Sequence, residues 1–349
     1  MDRDRAKSLV KSLGLKVNFL SILAAIVQSP PGILVSAAVL DFLLGDPWGW
    51  PHPVRVMGCA INLYCKWIWR WLKHPFALRV AGIVLALGLV LGSAVLVWAG
   101  IRGAYLLWKP LGWVVEVTLL ASCFAGRSLR DAAEDVLAPL QEENTELSRT
   151  KLSQYVGRDT EDLTKSEILR AVLETVAENT TDGVMAPLFY AILGLALPTI
   201  GPAPFAIAYK ATSTLDSMVG YRDEPYVHIG WFSAHLDDVL TWLPCRLNVM
   251  TLGMISGKLP KVWKLCQHDA VKDPSPNSGW SECAYAAILD VQLGGLNTYR
   301  GVLKLKPFLG KPQRTITPEL IHYALRLMRN SFILWVAIAL AIWIIGTEF

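Results

Sequence analysis

No block of like charge, no paired-cysteine spacing and no familiar nucleotide loop occurs in this chain of 349 residues. Its 33 Lys and Arg against 29 Asp and Glu leave a formal net charge of +4. That is too small and too scattered for a nucleic-acid surface. The six cysteines (Cys59, Cys65, Cys123, Cys245, Cys266 and Cys283) show neither CxxC nor Cys/His metal spacing. They read as apolar fillers in a reducing compartment. GxxxxGK[ST], GxGxxG, HExxH and GxSxG are all missing, so nucleotide chemistry here needs an unfamiliar site. GxxxG does occur, at Gly88–Gly92 and Gly253–Gly257, but that spacing is common in membrane helices and proves little.

Apolar sequence is abundant. The chain is 53% hydrophobic with 14 Trp and a mean hydropathy of +0.38, which lipid-facing helices and interfacial aromatic belts account for. Phe76–Gly100 and Ala104–Ala125 each approach the roughly 20 apolar residues of a span and read as a hairpin around Arg102. Ser331–Gly346 is a shorter C-terminal span. Phe19–Leu44 is broken by Ser29-Pro30-Pro31-Gly32, Val184–Ala208 by Pro198, Gly201, Pro202 and Pro204, and Trp242–Ser256 is short, with Pro244 and Arg246 inside it. Interrupted apolar segments suit places where backbone or polar side chains reach a buried site. The expected fold is an all-α, polytopic integral membrane protein with spanning helices, interrupted half-helices and a polar active site on the cytoplasmic face. Residues 1–31 form a basic N-terminal extension with the start of the first apolar segment, and 32–349 a single membrane catalytic domain.

Topology follows from charge. Arg3, Arg5, Lys7, Lys11 and Lys16 precede Phe19 with no small-residue cleavage site, which favours an uncleaved basic segment on the cytoplasmic face. If Phe19–Leu44 dips in and returns, nearly all Lys and Arg lie inside, as the charge rule prefers. If it crosses once, the N-terminal basic residues lie outside. The sequence is compatible with both.

Several polar constellations sit between these apolar segments, where unpaired polar groups cost several kcal/mol each. Asp41 and Asp46 flank Gly45, and the Pro/Gly-rich turn that follows aims His52 and Arg55. A capped, snorkelling helix end is the alternative, but a functional role is favoured because acids in apolar surroundings are functional by default. A helix from about Ser166 to Asn179 stacks Arg170, Glu174 and Glu178 on one face. Alone that is a solvated face with a salt bridge. Its continuation through Asn179, Thr180, Thr181 and Asp182 makes an oxygen-rich Mg²⁺ site plausible. Lys210, Thr214 and Ser217 share a helical face beside Ser213 and Asp216, a pattern suited to phosphate and metal. Asp237-Asp238 lies two turns before Arg246, although adjacent acids diverge on a helix. The stretches Asp273–Trp280 and Gln292–Tyr299 are rich in Pro, Gly, Ser and Asn, equally well structural turns or binding loops.

The strings GDPxxxPHPVRxxG, VGRDT, ETVAENTTDGVMAPLFYA, YKATSTLDSMVGYR, LDDVLTWLPCRL and SPNSGW–LGGLNTY resemble those of the adenosylcobinamide-phosphate synthase family, integral membrane enzymes of late cobalamin biosynthesis. The likeness runs in order from about Val39 to Gly310. Ser213 departs from an expected Asn, Thr181 from Ser, His235 from Arg and Thr241 from Asn, which touches the roles of positions 213 and 235.

The resemblance implies an ATP-dependent ligase that joins a propionate carboxylate of adenosylcobyric acid to (R)-1-amino-2-propanol O-phosphate, with Mg²⁺ or Mn²⁺ and through an acyl phosphate. Membrane lipid and other enzymes of the pathway are further expected partners, and nucleic acid is not. His52, Glu174, Glu178, Lys210 and Asp216 are the candidate catalytic residues. Arg55, Arg158, Asn179, Ser213, Thr214, Arg222, Arg246, Ser275 and Asn277 are the candidate phosphate and substrate contacts. Glu174, Glu178, Asp182, Asp216, Asp237 and Asp238 are the candidate metal ligands. A corrinoid transporter or delivery protein is the alternative, but no motif recurs as an internal repeat would require. A prenyl or alcohol-phosphate transferase fits less well, because its acidic repeats are missing.

Overall fold

The structure, a computed structural model, describes residues 29–46 and 52–348. The N-terminal basic residues, the first part of Phe19–Leu44 and most of the Pro/Gly-rich turn before His52 lie outside the described residues.

Helices dominate. The first, α1 (Pro30–Leu44), begins at the Pro-Pro pair: the Ser29 hydroxyl accepts from the Gly32 amide at 3.3 Å, and the prolines occupy the first turn, where a missing N–H costs nothing. An amphipathic α2 (Pro53–Trp71) leads to α3 (Pro75–Leu107), one unbroken helix of 33 residues. Here the structure differs from the expected hairpin around Arg102. That residue lies within α3 and donates to the Thr199 carbonyl at 2.6 Å, and the chain reverses at Trp108. The next helix, α4 (Lys109–Ala121), has 13 residues, about 20 Å of rise, and is too short to cross a bilayer alone.

After α5 (Gly126–Gln141) and α6 (Thr145–Leu152), α7 (Lys165–Asn179) starts at a capping box of Thr164 and Glu167. It runs into a π-helical turn, Thr180–Met185, and then α8 (Ala186–Leu195). The interruption expected at Pro198–Pro204 is present, and α9 (Pro202–Val219) follows it. A short α10 (Tyr226–Ile229) precedes α11 (Trp231–Ile255), which passes through Pro244 as one helix of 25 residues. Pro244 leaves the Leu240 carbonyl without its helical donor, and the Tyr190 hydroxyl takes that carbonyl at 2.9 Å. The segment is therefore not the short, broken piece expected.

Beyond α12 (Leu259–Asp269) and α13 (Ser278–Leu289), β1 (Gln292–Tyr299) pairs antiparallel with β2 (Val302–Gly310). This hairpin corrects the all-α expectation. The Leu-Lys-Leu-Lys alternation at 303–306 is its period-2 signal. The chain ends in α14 (Pro318–Glu348).

Among the described residues two helices are long and apolar enough to cross a membrane, Pro75–Leu107 and Pro318–Gly346. Leu91, Val95 and Leu96 on α3 are 61, 60 and 74% exposed, a pattern that suits lipid and would be costly in water. The main core joins α1, α5, α7, α8, α11, α13 and α14. A smaller one joins α2, the start of α3 and the end of α9, which fixes the end of α3 that lies near Asp216.

Candidate active site

The π-helical turn has a local cause. Pro187 has no N–H to give the Gly183 carbonyl four residues back, and the Ala125 amide fills that place at 3.0 Å. The turn is then pinned from three sides. Thr181 and Ser281 share a hydrogen bond of 2.8 Å, Ser281 also donates to the Ala177 carbonyl at 2.6 Å, and the Asn248 amide donates to Thr181 at 3.3 Å. Thr180 meets the Tyr285 hydroxyl at 3.1 Å. These buried hydroxyls hold the backbone so that Asp182 is presented at a fixed place. Widened helical turns often sit at functional sites for this reason.

Asp182 faces Glu178 from α7, Lys210 and Asp216 from α9, and Asp237 from α11. Burial first, and then the charges of Asp237, Glu178 and Asp216, push its carboxyl well above the ordinary range, against the opposing pull of Lys210. Burial and the neighbouring Asp216 and Asp238 likewise raise Asp237. Asp216 is pushed up to about 6 by burial and by Asp238 and Glu178. All five acids are half-buried, so they line a cleft. Lys210 forms no ion pair among the described residues, yet it acts electrostatically on Asp182, Asp41 and Asp46. Lys210 is thus a lone ammonium among carboxyls held above their ordinary range.

The donor set consists of hard oxygens, and the Asp237 Oδ1 atom is buried with no hydrogen-bond partner, which fits a divalent cation. The acids are not gathered around one point, however: among the described residues no three acidic, imidazole or thiol groups converge closely enough to form a ready cation cage.

Glu174 stands apart from this cleft. It is buried, with 2% of its side chain exposed, and its oxygens are taken by Arg158 at 2.5 Å and the Gly294 amide at 2.8 Å. Arg170 lies 3.7 Å away. Arg158 and Arg170 also donate to Asn297 at 2.8 and 3.2 Å. Gly294 has φ of +84°, and a Cβ there would stand 2.0 Å from the Pro307 carbonyl oxygen. Only glycine makes this bulge, which turns the amide toward Glu174. The Glu174 and Arg158 pair therefore latches the hairpin to α7.

His52 pairs with Asp46 at 3.2 Å, and Ser128 donates to Asp46 at 2.9 Å. The Nδ1 atom of His52 accepts from the Val54 amide at 3.2 Å, while Nε2, turned toward Asp46, makes no hydrogen bond among the described residues. Arg55 is exposed and makes no ion pair among the described residues. Asn179 donates to the Thr175 carbonyl at 3.0 Å and Thr214 to the Lys210 carbonyl at 2.7 Å; both turn back onto their own helices. Ser213 is half-buried beside them.

On the other rim, Arg246 lies over the Trp242 and Trp280 rings at 5.1 and 4.6 Å and donates to Asn277 at 2.7 Å. Asn277 in turn donates to the Asp238 carbonyl at 2.9 Å. The Ser275 hydroxyl accepts from the amides of Asn277 and Ser278 at 3.3 and 3.2 Å, and Arg222 reaches the Pro274 carbonyl at 3.4 Å. Arg246 of α11 thus lies between two indoles beside this loop, with no acid as ion-pair partner among the described residues.

Sequence reasoning missed Trp280 and the pair of buried Glu282 with Lys306. Glu282 is the one acid in an otherwise apolar helix, and Lys306 is the inward member of the hairpin alternation; both signals were available.

The description of the CobD/Cbib protein family matches residues 34–328. The chain is 50% identical over 303 residues to the cobalamin biosynthesis protein CobD of Synechocystis sp., covering 87% of this chain and 88% of that one. It is 43% identical over 309 residues to the cobalamin biosynthesis protein CbiB of Salmonella arizonae, covering 87% and 95%. To CobD of Halalkalibacterium halodurans it is 42% identical over 306 residues, covering 85% and 92%. No solved structure matches the chain.

Proposed function

The chain belongs to the CobD/CbiB protein family, and on that premise we propose that it serves cobalamin biosynthesis as an ATP-dependent, amide-forming ligase. It joins a propionate carboxylate of adenosylcobyric acid to (R)-1-amino-2-propanol O-phosphate, giving adenosylcobinamide phosphate, ADP and phosphate. The observation that carries this reading is the unpaired Lys210 facing a cleft of acids whose carboxyls resist ionisation.

A carboxylate is a poor electrophile. Its oxygen takes the terminal phosphoryl group of ATP, ADP leaves, and the resulting acyl phosphate has a good leaving group. The amine nitrogen then attacks the acyl carbon, loses a proton, and phosphate departs. Lys210 neutralises the transferring phosphoryl group, and Arg222 and Arg246 hold the phosphate of the amine substrate. Asp216 takes the amine proton, since a carboxyl near 6 ionises at neutral pH while remaining basic. His52, 3.2 Å from Asp46, orients that carboxylate instead. Glu178, Asp182, Asp237 and Asp238 would hold Mg²⁺ or Mn²⁺, which supplies charge neutralisation at the phosphates. Glu174 and Arg158 position the hairpin that borders the cleft.

The protein is further read as a multi-pass protein of the cytoplasmic membrane with this site facing the cytoplasm. The basic residues Arg55, Arg70, Lys73 and Arg79 gather on α2 and the start of α3, the end near which Asp216 lies, as the charge rule favours for an inner face.

Protein in nanodiscs, given adenosylcobyric acid, the amine phosphate, Mg²⁺ and ATP, is expected to form the corrinoid product by mass spectrometry only when ATP and amine are both present. Lys210→Ala and Glu178→Gln should each lower turnover about 100-fold or more with unchanged expression and monodispersity. Near-normal turnover in both rejects this site, and bound corrinoid without product moves the function to delivery. Arg246→Lys keeps the charge but loses the planar stack. It should raise the KM for the amine phosphate about tenfold, of order 1–2 kcal/mol, with kcat nearly unchanged. A fall in kcat alone contradicts the phosphate role.

A further inference from the structure

A cavity of about 870 Å³ runs between α1, α5 and α14, and none of Glu178, Asp182, Lys210, Asp216, Asp237 or Asp238 lines it. Val39 and Phe42 of α1 face Phe332, Val336 and Leu340 of α14 across it. Arg127, Arg130, Arg326 and Arg329 line the same cavity, and the two on α14 precede Phe332, Val336 and Leu340 in the chain. Other charged groups there are largely accounted for. Arg127 pairs with Asp131 at 2.7 Å, Arg130 lies 3.8 Å from the same carboxylate, and His322 pairs with Glu134 at 3.1 Å. Asp41 sits on the opposite wall beside the first turn of α5. Arg326 and Arg329, three residues apart on one helical face, have no carboxylate within ion-pair reach among the described residues.

The dimensions match one leaflet. From Arg329 to Leu340 the helix rises about 16 Å, close to half of a hydrocarbon core about 30 Å thick. The groove thus has two unneutralised guanidiniums at its head and an apolar trough one leaflet deep along a membrane-capable helix. Guanidinium binds phosphate through paired N–H donors, and basic pockets between membrane helices suit anionic head groups.

We propose that this groove binds an anionic phospholipid of the surrounding leaflet, its phosphate on Arg326 and Arg329 and an acyl chain along Phe332, Val336 and Leu340. The site is independent of the ligase reading and requires only that α14 crosses the membrane.

The test uses the full chain in detergent, supplemented with phosphatidylcholine alone, with added phosphatidylglycerol, or with soluble glycerol phosphate. Thermal unfolding and retained lipid by native mass spectrometry are read. Phosphatidylglycerol should raise the midpoint by several degrees over phosphatidylcholine and remain bound, as a ligand selective for the folded state must. The Arg326→Gln/Arg329→Gln variant, changed only at exposed positions, should lose most of that rise, whereas Arg70→Gln should keep it. An equal response to both lipids, or an unchanged response in the double variant, overturns the site. A rise with glycerol phosphate matching that with phosphatidylglycerol shows that the arginines take free phosphate and overturns the lipid.

Discussion

Asp182→Asn is expected to lower turnover by about 10²–10³-fold and, in the absence of divalent cation, to raise the thermal midpoint. Both effects have one cause. Asp182 shares a half-buried cleft with Glu178, Asp216 and Asp237, and burial together with their charges keeps its carboxyl well above the ordinary range. At a pH high enough to ionise Asp182, neutralising it removes a repulsion that the folded state otherwise bears, so the fold gains while the site loses a ligand oxygen. Function and stability oppose each other at such sites.

The same acids set a pH dependence. Asp216 has a folded value of about 6 against an ordinary 3.8. A carboxyl raised on folding contributes stability that is complete below its unfolded value and is lost as pH rises through the folded one. The cation-free protein should therefore lose stability from about pH 4 through pH 6, and Asp182 and Asp237, also raised, should extend the loss upward. Mg²⁺ should flatten the slope in the wild type and much less in Asp182→Asn. A midpoint that is flat with pH, or Mg²⁺ stabilisation equal in the two proteins, would remove the acid cleft as a cation site.

Much of this arrangement is legible in the chain. The α7 helix is readable from the spacing of Arg170, Glu174 and Glu178, and the break at Pro198–Pro204 from its prolines. What the spacing could not give is which face of α7 meets which partner. Glu174 and Glu178 lie one turn apart and read as equivalent, yet one faces Arg158 and the hairpin and the other the acid cleft. That division is made by long-range contacts, Gly294 being 120 residues from Glu174. The hairpin went unread because Gly294 and Gly295 look like a turn, whereas here they form a bulge inside a strand. Arg102 reads in the sequence as a turn charge, and its bond to the Thr199 carbonyl explains its place within α3.

Glu174 offers the sharpest separation between a ligand and a positioning residue. With 2% of its side chain exposed and 8% of Arg158, this is a buried ion pair whose other oxygen accepts from the Gly294 amide. Removing one partner of such a pair leaves an uncompensated charge and typically costs about 3–5 kcal/mol. Glu174→Ala should lose stability of that order. Amide exchange should quicken first in β1 and β2, since the latch is what ties them to α7. The Mg²⁺-induced rise in midpoint should survive, because Glu178, Asp182 and Asp237 remain. If Glu174 is instead a metal ligand, Glu174→Ala will lose the Mg²⁺ response while the hairpin amides stay protected. A Glu174→Gln variant refines the outcome: its amide still accepts from Gly294 but cannot neutralise Arg158, so intermediate stability places the effect in the ion pair and wild-type stability places it in the Gly294 hydrogen bond.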